Sequence, residues 1–117
     1  MNRIAIALVA SIVTIGAAEA RAHHRYHEAH RVPWCGLYMM QVKGKTDPRL
    51  ARAIEWRREG SDAGGPCVGC IVVWPHHVGE IVGQTSDGQW LVHSGNDGNR
   101  VRTRPRSLRG AVAFRRL

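Results

Sequence analysis

Acidic residues are few in this chain: 9 Asp and Glu stand against 17 Lys and Arg, for a formal net charge of +8. Long-range attraction will draw so basic a protein toward polyanions. Nucleic acid is the usual partner for such charge, but no nucleic-acid-binding motif accompanies it. Cysteines number three, and no second Cys pair is present to complete the four-ligand set of a structural zinc site. The odd count leaves one thiol unpaired or pairs it between chains. After residue 18 no apolar run approaches the roughly 20 residues that cross a bilayer. No internal repeat is found, so a repeat array is set aside.

The first segment departs from the rest. Met1-Asn2-Arg3 is a positive start, 4–18 is almost wholly apolar, and two small-x-small sites follow, Ala18-Glu19-Ala20 and Ala20-Arg21-Ala22. That order predicts a secretory signal peptide over 1–22, cut after Ala20 or Ala22. A retained membrane anchor is the alternative, but the apolar run is only about 15 residues long. Removal leaves about 95 residues, enough for one modest core. Losing Arg3, Arg21 and Glu19 lowers the net charge to about +7. The expected location is secreted or periplasmic, with no stable membrane span after processing. Nucleic acid is then out of reach, and an anionic envelope polymer is the expected partner. The basic stretch 100–116 can equally be a solvated strand face.

Segment 23–32 holds His23, His24, His27 and His30 without apolar periodicity. It is expected to be a flexible lead-in. Loose metal binding is a minor alternative there, and protonation at low pH would strengthen attraction to anions. The domain is expected over 33–117. Pro33 punctuates the entry to a mostly buried helix over 34–42, closed by Gly44. Asp47-Pro48 starts a second helix over 50–58, with Leu50, Ile54 and Trp56 near one face and Gly60 at its end. A Gly-rich loop, 61–66, follows. Period-two segments then appear over 70–74, 78–83, 89–93, 100–104 and 111–115, with turn residues at 84–88 and 95–98. Helices first and an antiparallel sheet after predicts an α+β domain.

Two residues carry candidate chemistry. Cys35, in Pro33-Trp34-Cys35-Gly36, opens the first helix, where oriented N–H groups favour a thiolate nucleophile. Gly36 allows backbone or substrate to approach closely. The competing role for Cys35 is a small buried apolar residue. His77, in His77-Val78-Gly79-Glu80-Ile81-Val82-Gly83, opens a strand and is the candidate base. Side chains alternate along a strand, so His76 should face the other way. A surface histidine pair is the competing reading. A third group should orient the imidazole. His93 and Asn96 are candidates, with Asp97 weaker, and Asn96 also suits a plain turn.

In this setting the stretch from Pro33 to Arg115 resembles the papain-like NlpC/CHAP superfamily of small exported cell-wall hydrolases, the subgroup with a Trp-Cys nucleophile motif. The landmarks are Trp34-Cys35-Gly36, then Ala51-Arg52 with Trp56, then Gly69 before Ile71-Val72-Val73-Trp74. His77-Val78-Gly79 with Gly83, and Ser94-Gly95-Asn96 before Val101, complete them. The resemblance implies a thiol peptidase or amidase acting on peptidoglycan peptide amide bonds, with no cofactor and no metal. Cys35 would be nucleophile and His77 base. Asn96 inherits the orienting role in this subgroup, and His93 nearly occupies the place of the NlpC-branch histidine. The backbone N–H of Cys35 would help hold the oxyanion. Trp34-Cys35-Gly36 departs from the Asp-Cys-Ser common in that branch.

Cys67 and Cys70 are no part of the family pattern. They read as structural, a disulfide candidate or two small apolar residues, because a strand and not a helix follows them. The alternative function is a non-catalytic, basic envelope-binding module that keeps the same fold.

Overall fold

Pro33 and Gly44 bracket the first element of the computed structural model, which describes residues 33–117. The expected signal peptide 1–22 and histidine-rich segment 23–32 lie outside the described residues. Helix α1, Cys35–Lys43, starts with the Tyr38 N–H donating to the Trp34 carbonyl at 3.0 Å. It stops at Gly44, whose left-handed backbone (φ 64°) lets its N–H reach the Met40 carbonyl. The helix buries a narrow stripe, Cys35, Gly36 and Met39, while Leu37 and Val42 are exposed. The expectation of a mostly buried helix was too broad, since α1 packs on one side only.

The second expected helix, 50–58, is two 3₁₀ helices, Pro48–Ala51 and Ala53–Arg58. Asp47 caps the first by accepting from the Arg49 N–H. Arg52 between them is extended. Two contacts explain the break. The Leu50 carbonyl is taken by the buried Trp56 indole N–H at 2.7 Å. Gly36 of α1 presses so close to the Leu50 and Ala51 carbonyls that a Cβ there would stand 2.5 Å from each oxygen.

Among the described residues six strands form one antiparallel sheet: β1 Ser61–Asp62, β2 Ile71–Trp74, β3 His77–Gln84, β4 Trp90–Ser94, β5 Arg102–Pro105 and β6 Ala113–Arg116. Their order is β1-β6-β2-β3-β4-β5. The protein is thus a small α+β domain. The last strand crosses back to pair with β2, Val72 opposite Phe114. It also pairs with β1, so the expected Gly-rich loop over 61–66 opens on a two-residue strand.

Alternation along the strands separates two apolar layers. On one face Ile71, Val73 and Val78 pack with Cys35, Met39, Leu50, Ala53 and Trp56. On the other, Cys70, Val72, Trp74, Ile81 and Val92 pack with Trp90, Leu108 and Phe114. Strand β2 is buried on both faces, which accounts for its unbroken apolar run. Among the described residues no helix is long and apolar enough to cross a membrane.

Candidate active site

The β2–β3 hairpin turns through Pro75 and His76, placing Trp74 directly opposite His77. Opposed residues share a face, so the His77 side chain lies on the Trp74 side of the sheet. The two rings are 5.7 Å apart. His76 is in the turn itself, exposed, and not on the strand as alternation alone had suggested.

Cys35 arrives at the same end of the sheet from the α1 side. Its side chain is 1 % exposed, and its thiol donates to the His76 carbonyl at 3.9 Å. Trp34, the N-cap, offers no side-chain cap, and the first turn of α1 holds no acidic residue. The leading amides of the helix therefore keep their partial positive charge beside the thiol. Thiol and imidazole reach one sheet end from opposite faces. Among the described residues no hydrogen bond joins them.

The ring of His77 is held from β4. Its Nε2 lies 3.0 Å from the Oγ of Ser94, a fully buried serine. With the proton on Nε2 donated to Ser94, Nδ1 is left as an acceptor. Burial, then the charge of Arg106, lowers the His77 pKa from 6.5 to about 4, with Asp97 pulling the other way. The ring is neutral at pH 7.

The candidate third residues fall in different places. His93 is on the α1 side, bridging Tyr38 and Thr103: Tyr38 Oη lies 2.6 Å from Nε2, and Thr103 Oγ1 2.8 Å from Nδ1. Asn96 follows the end of β4 in a turn with φ 53°. Continued past Ser94, the register that pairs Glu80 with His93 would set Asn96 opposite His77. The chain leaves the ladder first, and among the described residues Asn96 makes no side-chain hydrogen bond. Gly95 between them is pressed against Tyr38 and Trp34 of the helix, where a Cβ would meet the Tyr38 Cβ at 2.6 Å. Asp97 is 4 % exposed and belongs to a different network.

That network gathers the basic stretch. Arg104 donates to Asp97 at 2.6 and 2.8 Å, Arg102 at 3.1 Å, and Arg106 Nη1 stands 3.4 Å away. Hydrogen bonds from Arg104, then Arg102, hold the Asp97 carboxyl well below the usual carboxylate range. Arg102, Arg104 and Arg106 are thus not simply a solvated strand face. Arg106 also sits over Trp74, its Cζ 4.9 Å from the ring centroid. Its burial lowers its pKa. The Asp97 charge opposes this, Arg104 and Arg102 add to it, and the Cys35 charge opposes it.

Cys67 and Cys70 are joined as a disulfide, with Cα atoms 5.3 Å apart, and Cys35 is the free cysteine among the described residues. No group of three or more His, Cys, Asp or Glu able to hold a metal occurs among the described residues. The histidines at 23–30 lie outside them.

Ser94 and Arg106 are the site residues that the sequence did not announce. The only signal for Ser94 was parity, since it lies an even number of residues from Val92 on a strand paired with that of His77. Arg106 looked like one more basic residue of the tail. Compared with protein-family models, curated proteins and solved structures, the chain has no match.

Proposed function

We propose that this protein is an exported thiol hydrolase of papain-like type, acting on amide bonds of peptidoglycan peptides. One observation carries the reading: a cysteine opens an uncapped helix at the sheet end where a neutral imidazole is held by a buried hydroxyl. The substrate class follows from the resemblance of the Trp-Cys, His-Val-Gly and Ser-Gly-Asn motifs and from the basic charge.

This chemistry requires the thiol and the imidazole, which reach the sheet end from opposite faces, to come into contact, so that His77 takes the Cys35 proton as the sulfur attacks the amide carbon. The backbone N–H of Cys35 holds the oxyanion. The C–N bond breaks as His77 protonates the leaving amine, and water then cleaves the thioester, restoring the thiol. Ser94 holds the ring, with Asn96 two residues further on as the orienting group that the resemblance assigns.

Digestion of purified peptidoglycan, followed by mass spectrometry, tests the proposal. Wild type should release peptide fragments, and Cys35→Ala none while staying folded. Equal release by both would overturn it. Alkylation tests whether thiol and imidazole act together: Cys35 should react rapidly at neutral pH and slow on His77→Ala.

One observation favours the second reading, a non-catalytic envelope-binding module. Cys35 is 1 % exposed and hydrogen-bonded to a backbone carbonyl, as a structural cysteine would be. Slow alkylation in either background, with wall binding that collapses on adding salt, would select that reading.

A further inference from the structure

The sheet face that carries His77 also carries a cavity of about 440 Å³. Trp90, Leu108, Phe114 and Pro66 supply apolar walls, and Gln89, Ser107 and Arg106 are the polar residues on them. Trp90, Leu108 and Phe114 belong to the apolar layer of Trp74. Arg106 lies between this cavity and the candidate active site, because the same guanidinium stacks on Trp74 and approaches Asp97.

Charge is unbalanced there. Three guanidiniums share the single carboxylate of Asp97. Arg104 and Arg102 make the hydrogen bonds to it, and Arg106 keeps only the longest ion pair, 3.4 Å. The Nε of Arg102 is buried without a partner among the described residues. A partly desolvated cation with donors to spare favours an added anion, and guanidinium suits a carboxylate through paired N–H groups. A single charged side chain, the Arg106 guanidinium, on a mostly apolar cavity matches a monoanion attached to an apolar body.

We propose that this cavity binds the C-terminal residue of a peptide, its free carboxylate on Arg106 and its apolar side chain against Trp90, Leu108 and Phe114. The Gln89 amide nitrogen donates to Asp87 at 3.0 Å, which leaves its carbonyl oxygen to accept from the peptide backbone. Binding requires no turnover and does not rest on the thiol chemistry. If the hydrolase reading also holds, the site lies on the face of its imidazole and selects substrates with a free carboxyl end.

The test is an NMR titration of the full chain with N-acetyl-alanyl-leucine, its C-terminal amide, and inorganic phosphate. The free acid should shift the Trp90 and Trp74 indole signals, with the amide binding at least tenfold more weakly. Arg106→Gln should abolish that preference. Leu108→Glu, which sets a carboxylate on the wall, should weaken the acid at least tenfold and decides the matter if Arg106→Gln does not fold. Equal binding of acid and amide would overturn the proposal. So would phosphate displacing the acid at equal concentration, or no indole shift at millimolar acid. Loss of hydrolysis in Cys35→Ala with binding retained would leave this site standing apart from the catalytic reading.

Discussion

His77 Nε2 and Ser94 Oγ meet at 3.0 Å across the β3–β4 pair, on the face of the sheet turned away from α1. The contact holds the ring in place through Nε2 and leaves Nδ1 clear of it. Ser94→Ala removes it without touching Cys35. On the hydrolase reading, kcat should fall about tenfold, the worth of one hydrogen bond of about 1.4 kcal/mol, with KM little changed. Steady-state kinetics on a wall-peptide substrate checks the split.

The buried ring also couples stability to pH. In the unfolded chain His77 titrates near 6.5, but in the fold only at about 4. Between those values the unfolded state holds a proton that the native state does not. Stability should therefore fall as pH drops from about 6.5 to 4 and be insensitive to this group above 6.5. Urea midpoints across that range should show the slope, and His77→Gln should flatten it.

Asp97 adds a slope of the same sign in a lower pH window. Its depressed pKa stabilises the fold above 3.8, and that contribution is lost as pH falls below it. Asp97→Asn at pH 7 leaves Arg102, Arg104 and Arg106 facing one another. A cost of about 2 kcal/mol is expected, less than for a fully buried pair because the arginines are partly solvated. Added salt should recover part of it in chemical denaturation.

Helix α1 is seated by two glycines. A Cβ on Gly36 would lie 2.5 Å from the Leu50 and Ala51 carbonyl oxygens, and one on Gly95 would lie 2.6 Å from the Tyr38 Cβ. Gly36→Ala and Gly95→Ala should each destabilise by about 1–3 kcal/mol, whereas Gly64→Ala meets no atom within 4 Å and pays only for its backbone angle. Thermal unfolding of the three variants ranks them.

The disulfide closes a short loop next to the cavity wall at Pro66. Replacing both Cys67 and Cys70 by Ala should cost about 2 kcal/mol, as expected for so small a ring. Reducing agent should shift the wild-type denaturation midpoint toward that of the double variant and leave the variant unchanged.

Local signals in the sequence carried most of the elements. Pro33 and Gly44 mark the bounds of α1, Asp47-Pro48 caps the next turn, and the apolar run 71–74 is a strand. Each depends on neighbours a few residues away. The helix expected over 50–58 failed because the Leu50 carbonyl is taken by the indole of Trp56 in the same segment, and because Gly36 of α1 packs tightly against the Leu50 and Ala51 carbonyls. Periodicity cannot register such claims.

The candidate site divides the same way. Residue type and local frame marked Cys35 and His77, since a thiol at a helix start and a histidine at a strand start are visible in sequence. Which face each side chain takes, that Ser94 holds the ring, that His93 turns to Tyr38, and that three arginines converge on Asp97 were set by strand register along β3, β4 and β5 and by the seating of α1 on the sheet. The physical reason is distance along the chain: side chains 17 to 65 residues apart meet at this end of the sheet, and only the closed fold determines which of them touch.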